Sequence, residues 1–114
     1  MRREKLYLED IIDSIEKIQS FTAEMDFNSF IRDDKTKSAV IREFEIIGEA
    51  AKNISLEIKQ QHIEIPWSDM AKMRDKLIHW YFGINYQIIW KTIQERLPVI
   101  KTDIREILLE IKDD

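Results

Sequence analysis

The sequence predicts an all-α protein, an antiparallel bundle of four to five helices in which residues 1–114 form a single domain. Three observations lead to this fold class. The chain of 114 residues is long enough for one hydrophobic core and too short for two. It contains two Gly and two Pro, too few for the tight turns of β-hairpins. Isoleucine and leucine recur at spacings of three and four residues, as on the buried face of a helix.

Two helices and one connector are predicted for the first half of the chain. The first helix covers Leu6 to Phe21, with one apolar stripe and acidic residues on its other side. The connector from Asp26 to Asp34 is predicted as a loop with room for one helical turn, which packs Phe27 or Phe30 inward. The second helix extends from about Lys35 to about Ser55.

Gly48 lies in the centre of the second helix, among small residues. A glycine inside a helix costs about 1 kcal/mol relative to alanine. Two interpretations stay open. Gly48 marks the place where another helix comes close, or it is a tolerated glycine without a packing role.

Proline and glycine divide the second half of the chain. Pro66 is suited to the first position of a third helix, because its missing N–H would be unpaired there anyway. Gly83 is a natural end for that helix. Asn85 offers a side-chain cap for a fourth helix, from Tyr86 to about Arg96. Pro98 either bends this helix or opens a fifth.

Charge and composition narrow the function classes. The 22 acidic residues outnumber the 18 basic ones, and a net charge of −4 argues against a general nucleic-acid binder, so any contact with nucleic acid must be local. Without cysteine, thiolate catalysis and Cys-based zinc sites are excluded; we expect no metal and no cofactor, although an all-oxygen metal site stays open. The chain shows no signal-peptide pattern and no apolar run of about 18 residues, which predicts a soluble cytoplasmic protein without membrane contact.

Four consecutive ring-bearing residues stand at the predicted end of the third helix: His79, Trp80, Tyr81 and Phe82. At about 100° per residue they cover the whole circumference of the helix, so they cannot all face one core. Exposed aromatic side chains commonly mark interaction sites. The default role of each aromatic ring is nevertheless packing.

The polar residues of the same helix have a more specific spacing. Arg74 and Tyr81 share one stripe, and Asp75 and His79 share a neighbouring stripe. Arg74 and His79 diverge by about 140° on a regular helix, so one copy cannot easily direct both side chains at the same atom. Two copies related by a twofold axis, or a bend near Gly83, would bring them together.

Simpler roles are also open for these residues. His79 could be a favourable partner for the dipole at the end of its helix. Arg74 could pair with a surface carboxylate, which contributes little stability. His62 has no companion groups in the sequence and is predicted to be solvent-exposed.

The segment Arg74-Asp-Lys-Leu-Ile-His79-Trp-Tyr81 resembles the Arg-x4-His-x-Tyr motif of HepT-like toxins, a branch of the HEPN (higher eukaryotes and prokaryotes nucleotide-binding) superfamily. Five further segments of the chain resemble other family motifs in the same order, so the resemblance spans about Ile11 to Ile107. These segments are residues 40–54, Ile65-Pro66-Trp67, Met73-Arg74, Ile89-Trp90 and Leu97-Pro98.

The resemblance implies a helical homodimer whose two motif helices face each other across a composite cleft. It implies a metal-independent endoribonuclease, the toxin of a type VII toxin–antitoxin pair, with Arg74 and His79 as catalytic residues and RNA as substrate. The implied partner is an MntA-type minimal nucleotidyltransferase antitoxin, which silences the toxin by transferring AMP to Tyr81. The alternative is a non-catalytic helical module that binds a nucleotide or a nucleotidyltransferase partner. A structural dimer with a degenerate motif is a third interpretation.

Asp75 departs from the family pattern, in which Asn commonly follows the motif Arg. An acid four residues before His79 would favour the protonated imidazole, and it would also repel a substrate phosphate. Asp75 and Lys76 are therefore candidate supporting residues. Residues 66–97 contain five basic and three acidic residues on an otherwise acidic chain, which fits a local cleft for RNA.

Overall fold

Every regular element is helical in the computed structural model, which describes residues 2–79 and 83–111. The predicted all-α fold is confirmed. In chain order, the elements are α1 (Arg2–Thr22), α2 (Phe27–Arg32), α3 (Asp34–Asn53), α4 (Leu56–Gln61), α5 (Trp67–His79), α6 (Tyr86–Lys91), a π-helical segment (Thr92–Arg96) and α7 (Leu97–Glu110). α6, the π-helical segment and α7 follow one another without interruption, so the described residues form four long helical stretches and two short helices.

Short polar side chains begin four of these helices. Asp26, Asp33, Ser55 and Asn85 each accept a hydrogen bond from the backbone N–H three residues later, which satisfies a donor that the helix itself leaves unpaired. The cap predicted at Asn85 is confirmed. The backbone hydrogen bonds lower the pKa of Asp26 and Asp33 below the usual value of 3.8, because they favour the ionised carboxylates.

The connector after α1 forms a helix, α2, where a loop with one helical turn was predicted. Phe30 is fully buried, and its ring centroid lies 5.1 Å from that of Trp90 and 6.1 Å from that of Tyr86. The half-buried Phe27 packs edge-on against the same Trp90. The predicted inward packing is therefore confirmed for Phe30, and these rings dock α2 onto α6.

α3 and α7 each pack antiparallel to α1. α1 packs against α3, α3 packs against α5, and α7 packs against α1. The end of α3 meets the start of α1, and α7 runs against α1 with its later residues beside the earlier residues of α1. The contacts that fix these directions are Ser55 N–H to Glu4 Oε2 (3.0 Å), Lys101 Nζ to Gln19 Oε1 (2.7 Å) and Arg105 Nη2 to Glu16 Oε2 (2.7 Å).

Pro98 lies in the first turn of α7, directly after the π-helical segment. The N–H of Leu97 donates to the carbonyl of Thr92, five residues earlier, so the helix is wider here than an α-helix. A proline within an α-helix would clash with the carbonyl four residues before it. Of the two predicted roles, Pro98 opens a further helix, although the chain continues into it without a break.

One face of each long helix builds the core. The buried side chains include Ile11, Ile15 and Ile18 of α1, Val40, Phe44 and Ile47 of α3, Trp67, Met70 and Leu77 of α5, and Ile100, Ile104 and Ile107 of α7. No helix in residues 2–79 and 83–111 combines the length and the apolar composition needed to cross a bilayer.

His62 is less exposed than the sequence predicts. Its side chain is 18% exposed and lies between Glu64 and Glu110, the last residue of α7. Its Nδ1 lies 3.5 Å from Glu64 Oε1, and its Nε2 lies 3.7 Å from Glu110 Oε2. Its backbone carbonyl accepts a 3.0 Å hydrogen bond from the indole N–H of Trp67. The prediction of a solvent-exposed histidine was therefore wrong.

Candidate active site

At Gly48, the backbone of α3 lies so close to α5 that no side chain fits between them. A Cβ atom at this position would overlap the Cβ of Arg74 and would lie 2.8 Å from the backbone oxygen of Met70. Of the two interpretations of this glycine, the close approach of another helix is confirmed. The helix that approaches is the one that carries the Arg-x4-His motif, so Gly48 determines how deeply Arg74 is seated against α3.

Arg74 lies half-buried in this seam and contacts two carboxylates. Its Nη2 lies 3.2 Å from Glu49 Oε2 on α3, and its Nη1 lies 3.1 Å from Asp75 Oδ1 on its own helix. Glu49 is in turn contacted by the side-chain amide of Asn53, 3.4 Å from its Oε1. Lys52 Nζ lies 3.8 Å from the Asp75 oxygen. The guanidinium is therefore oriented by groups on both helices.

His79 is the last residue of α5 and is exposed. Because α5 is a continuous helix from Trp67, Arg74 and His79 diverge around its axis as the spacing predicts. No hydrogen bond or ion pair joins His79 to another residue in the part of the chain that the structure describes. The structure thus brings Arg74 together with Asp75, and it does not bring His79 to either residue.

The remaining predicted site residues have different positions. Asp75 pairs with Arg74 and Lys52, and the expected contact between Asp75 and His79 is not among those of the described residues. Lys76 is exposed on α5. Tyr81 lies outside the described residues, as do the neighbouring rings of Trp80 and Phe82. A bend near Gly83 would fall on the same stretch.

A groove of about 250 Å³ opens beside Arg74, between α1, α3 and α5. Its charged lining consists of Arg42, Arg74, Asp10, Glu45 and Glu49. Three carboxylates outnumber two guanidinium groups here. The excess of basic residues that the sequence shows over residues 66–97 is therefore not concentrated in this groove. Among residues 2–79 and 83–111, no cluster of three or more His, Asp or Glu side chains is placed to hold a metal ion.

Glu49 and Asn53 are the site residues that sequence reasoning missed. Both lie on α3, one turn apart, and they become neighbours of Arg74 only through the packing of α3 on α5. A signal was present in the sequence. Once Gly48 is taken as a close-approach point, the adjacent carboxylate at position 49 is the first polar group beside the incoming helix.

Comparison with known proteins identifies the family of the chain. A family model described as "Ribonuclease HepT-like" matches residues 11–107, so the chain belongs to the HepT-like ribonuclease family. A protein of Thermococcus cleftensis named "Probable ribonuclease HepT" is 55% identical over 100 residues, which are 88% of this chain and 91% of that protein. A candidate RNase of Methanocaldococcus jannaschii is 46% identical over 96% of this chain and 88% of its own length. No solved structure gives a significant match. The resemblance inferred from the motif is confirmed.

Proposed function

We propose that this protein is an endoribonuclease that cleaves RNA without a metal ion, in a cleft formed by two copies of the chain. The family and the ribonuclease names of its relatives support the activity. The divergence of Arg74 and His79 on one continuous helix supports the dimer and carries the proposal. A twofold axis beside α5 would place both residues of each copy around one phosphate.

The residue types suit cleavage of RNA by its own 2′-hydroxyl. The 2′-oxygen attacks the phosphorus and loses its proton to a base, while the 5′-oxygen leaves with the bonding electrons and takes a proton from an acid. Imidazole serves either role near neutral pH, so the two His79 side chains of a dimer supply one base and one acid. The Arg74 guanidinium offers planar donors to the phosphorane oxygens. The products are a 2′,3′-cyclic phosphate and a free 5′-hydroxyl.

We further propose that the chain is the toxin of a type VII toxin–antitoxin pair, regulated at Tyr81. The match of Arg74, His79 and Tyr81 to the family motif supports this. In the proposed reaction, the Tyr81 oxygen attacks the α-phosphate of ATP on a minimal nucleotidyltransferase antitoxin, and pyrophosphate leaves. The added AMP carries a negative charge two residues from His79, where it would fill the cleft and repel RNA.

A second candidate function is a non-catalytic module that binds a nucleotide or a nucleotidyltransferase partner. The charge around Arg74 favours the form that binds a protein partner: Arg74 already contacts two carboxylates, and the groove beside it has more acidic than basic side chains. A phosphate at Arg74 must compete with these groups. A binding module would retain partner affinity after replacement of His79 and would cleave RNA in neither form.

The test compares the two histidines of the chain. Purified wild type, His79→Ala and His62→Ala are incubated with a mixed RNA pool, and cleavage and the nature of the new ends are measured. We expect His79→Ala to lose cleavage and His62→Ala to retain it, with both variants folded by circular dichroism. Equal cleavage by wild type and His79→Ala would refute the assignment, and no cleavage by wild type would favour the binding module.

Regulation is tested separately. Mass spectrometry after incubation with ATP and a minimal nucleotidyltransferase of the proposed antitoxin type should show one added AMP in the wild type and none in Tyr81→Phe. Addition of AMP to both forms would show that another residue is modified and would contradict the assignment to Tyr81.

A further inference from the structure

Among the described residues, Glu49 is the one residue of another helix that forms an ion pair with the Arg74 guanidinium. Its Oε2 lies 3.2 Å from Arg74 Nη2, across the seam between α3 and α5. Asp75 also contacts Arg74, but it is the next residue along α5 and moves with it. The Glu49 contact therefore crosses from α5 to α3, whereas the Asp75 contact stays within α5.

The surroundings of Glu49 restrict its own position. Its neighbour Gly48 allows the backbones of α3 and α5 to approach so closely that a Cβ there would overlap the Cβ of Arg74. The side-chain amide of Asn53 donates to the backbone oxygen of Glu49 at 2.8 Å and lies 3.4 Å from its Oε1. The carboxylate is 55% exposed, so water screens the ion pair and its contribution to stability is small. Fold stability therefore does not explain the arrangement.

We infer that Glu49 is a positioning residue for Arg74, a role that rests on the proposed ribonuclease function. A guanidinium carries five N–H donors. Nη1 donates a hydrogen bond to Asp75 Oδ1, and Nη2 forms an ion pair with Glu49 Oε2, so further N–H donors of the guanidinium stay available to a phosphate. Carboxylates on two helices restrict the plane of the guanidinium, and with it the directions in which the remaining donors point.

The charge of Glu49 makes this role distinguishable from substrate binding. A carboxylate beside the phosphate site repels RNA, so its removal should not raise KM. Loss of orientation affects the step in which charge develops on the phosphorane, and so it lowers kcat. A positioning role thus predicts that kcat falls while KM stays constant or decreases.

The experiment uses the full chain with three substitutions: Glu49→Ala, Glu49→Gln and Glu106→Ala. Glu106 is an exposed glutamate on α7, so its replacement matches the change in net charge and in helix propensity. We expect kcat of Glu49→Ala to fall about 100-fold, as for a misplaced catalytic group. Glu49→Gln keeps a polar oxygen at this position without the negative charge and should lose about tenfold, since an uncharged partner attracts the guanidinium less. Glu106→Ala should resemble the wild type, and the melting temperatures of all variants should differ little.

A second measurement does not depend on cleavage. The Nε–H signal of Arg74 in a ¹H–¹⁵N spectrum should be present in the wild type and in Glu106→Ala, and broadened or absent in Glu49→Ala.

Two results would overturn the inference: an unchanged or increased kcat in Glu49→Ala, or an Arg74 signal that does not respond to it. If the wild type cleaves no RNA, the proposed function fails, and the Arg74 signal alone then decides whether Glu49 orients the guanidinium.

Discussion

Replacement of Gly48 by Ala tests the packing that seats Arg74. The new methyl group would overlap the Cβ of Arg74 and lie 2.8 Å from the carbonyl oxygen of Met70. Neither atom belongs to the free end of a flexible side chain, so α5 must move away from α3. Overpacking of this kind costs about 1–3 kcal/mol, and the better helix propensity of alanine returns about 1 kcal/mol.

The depth of the overlap places Gly48→Ala at the upper end of this range, a net loss of about 2 kcal/mol. For a domain of this size, that corresponds to a melting temperature lower by about 8 °C. Because the displaced helix carries Arg74, RNA cleavage measured well below the melting temperature should also decrease.

Gly83→Ala is the matched control. A Cβ at Gly83 meets no described atom within 4 Å, and neither glycine has a positive φ, so alanine is sterically allowed at Gly83. Both variants are compared with the wild type by thermal denaturation and by urea denaturation. A Gly48→Ala protein as stable as Gly83→Ala would refute the close-packing argument.

Three further predictions concern the core, the helix caps and the chemistry. Phe30→Ala should lower the free energy of unfolding by about 3–5 kcal/mol, and Phe27→Ala by less because Phe27 is half-buried; equal losses in urea denaturation would contradict the burial pattern. Asp33→Ala should lower the melting temperature at pH 7, and the difference from wild type should narrow below pH 3.8. The reason is that a carboxylate whose pKa is lowered by folding stabilises the fold above its unfolded pKa. This stabilisation is lost as the pH falls through the folded pKa. A pH-independent difference would exclude the ionised cap. RNA cleavage should continue in excess EDTA, and a loss that Mg²⁺ reverses would show that a metal takes part.

Elements with a strong local signal were predictable from the sequence. The apolar stripe of α1 and the cap at Asn85 depend on residues close in the chain. The structure confirms the cap and buries the apolar residues of the stripe from Leu8 to Ile18, whereas Leu6 and Phe21 at the ends of the stripe are exposed. α4 was not predicted, because six residues are too few to show a helical period. The π-helical segment before Pro98 was not predicted either. Its residues are ordinary helix formers, and only the hydrogen bonding between residues five apart distinguishes the segment from an α-helix.

The candidate site was predictable only in part. The motif residues and their divergence on one helix follow from spacing along the chain. The contact of Glu49 with Arg74 depends on the register between α3 and α5, which Gly48 permits but which spacing does not give. The burial of His62 likewise depends on where α7 ends beside the loop after α4, a contact between residues far apart in sequence.

The central claim is that two copies of His79 act in one cleft, and subunit mixing tests it most directly. Wild-type and His79→Ala chains are unfolded together in equal amounts and refolded, and RNA cleavage is measured per total chain. Random pairing makes about a quarter of the dimers fully wild type, so a cleft that needs both histidines should retain about a quarter of the activity. Retention of about half would mean that each chain carries a complete site of its own, and it would contradict the account.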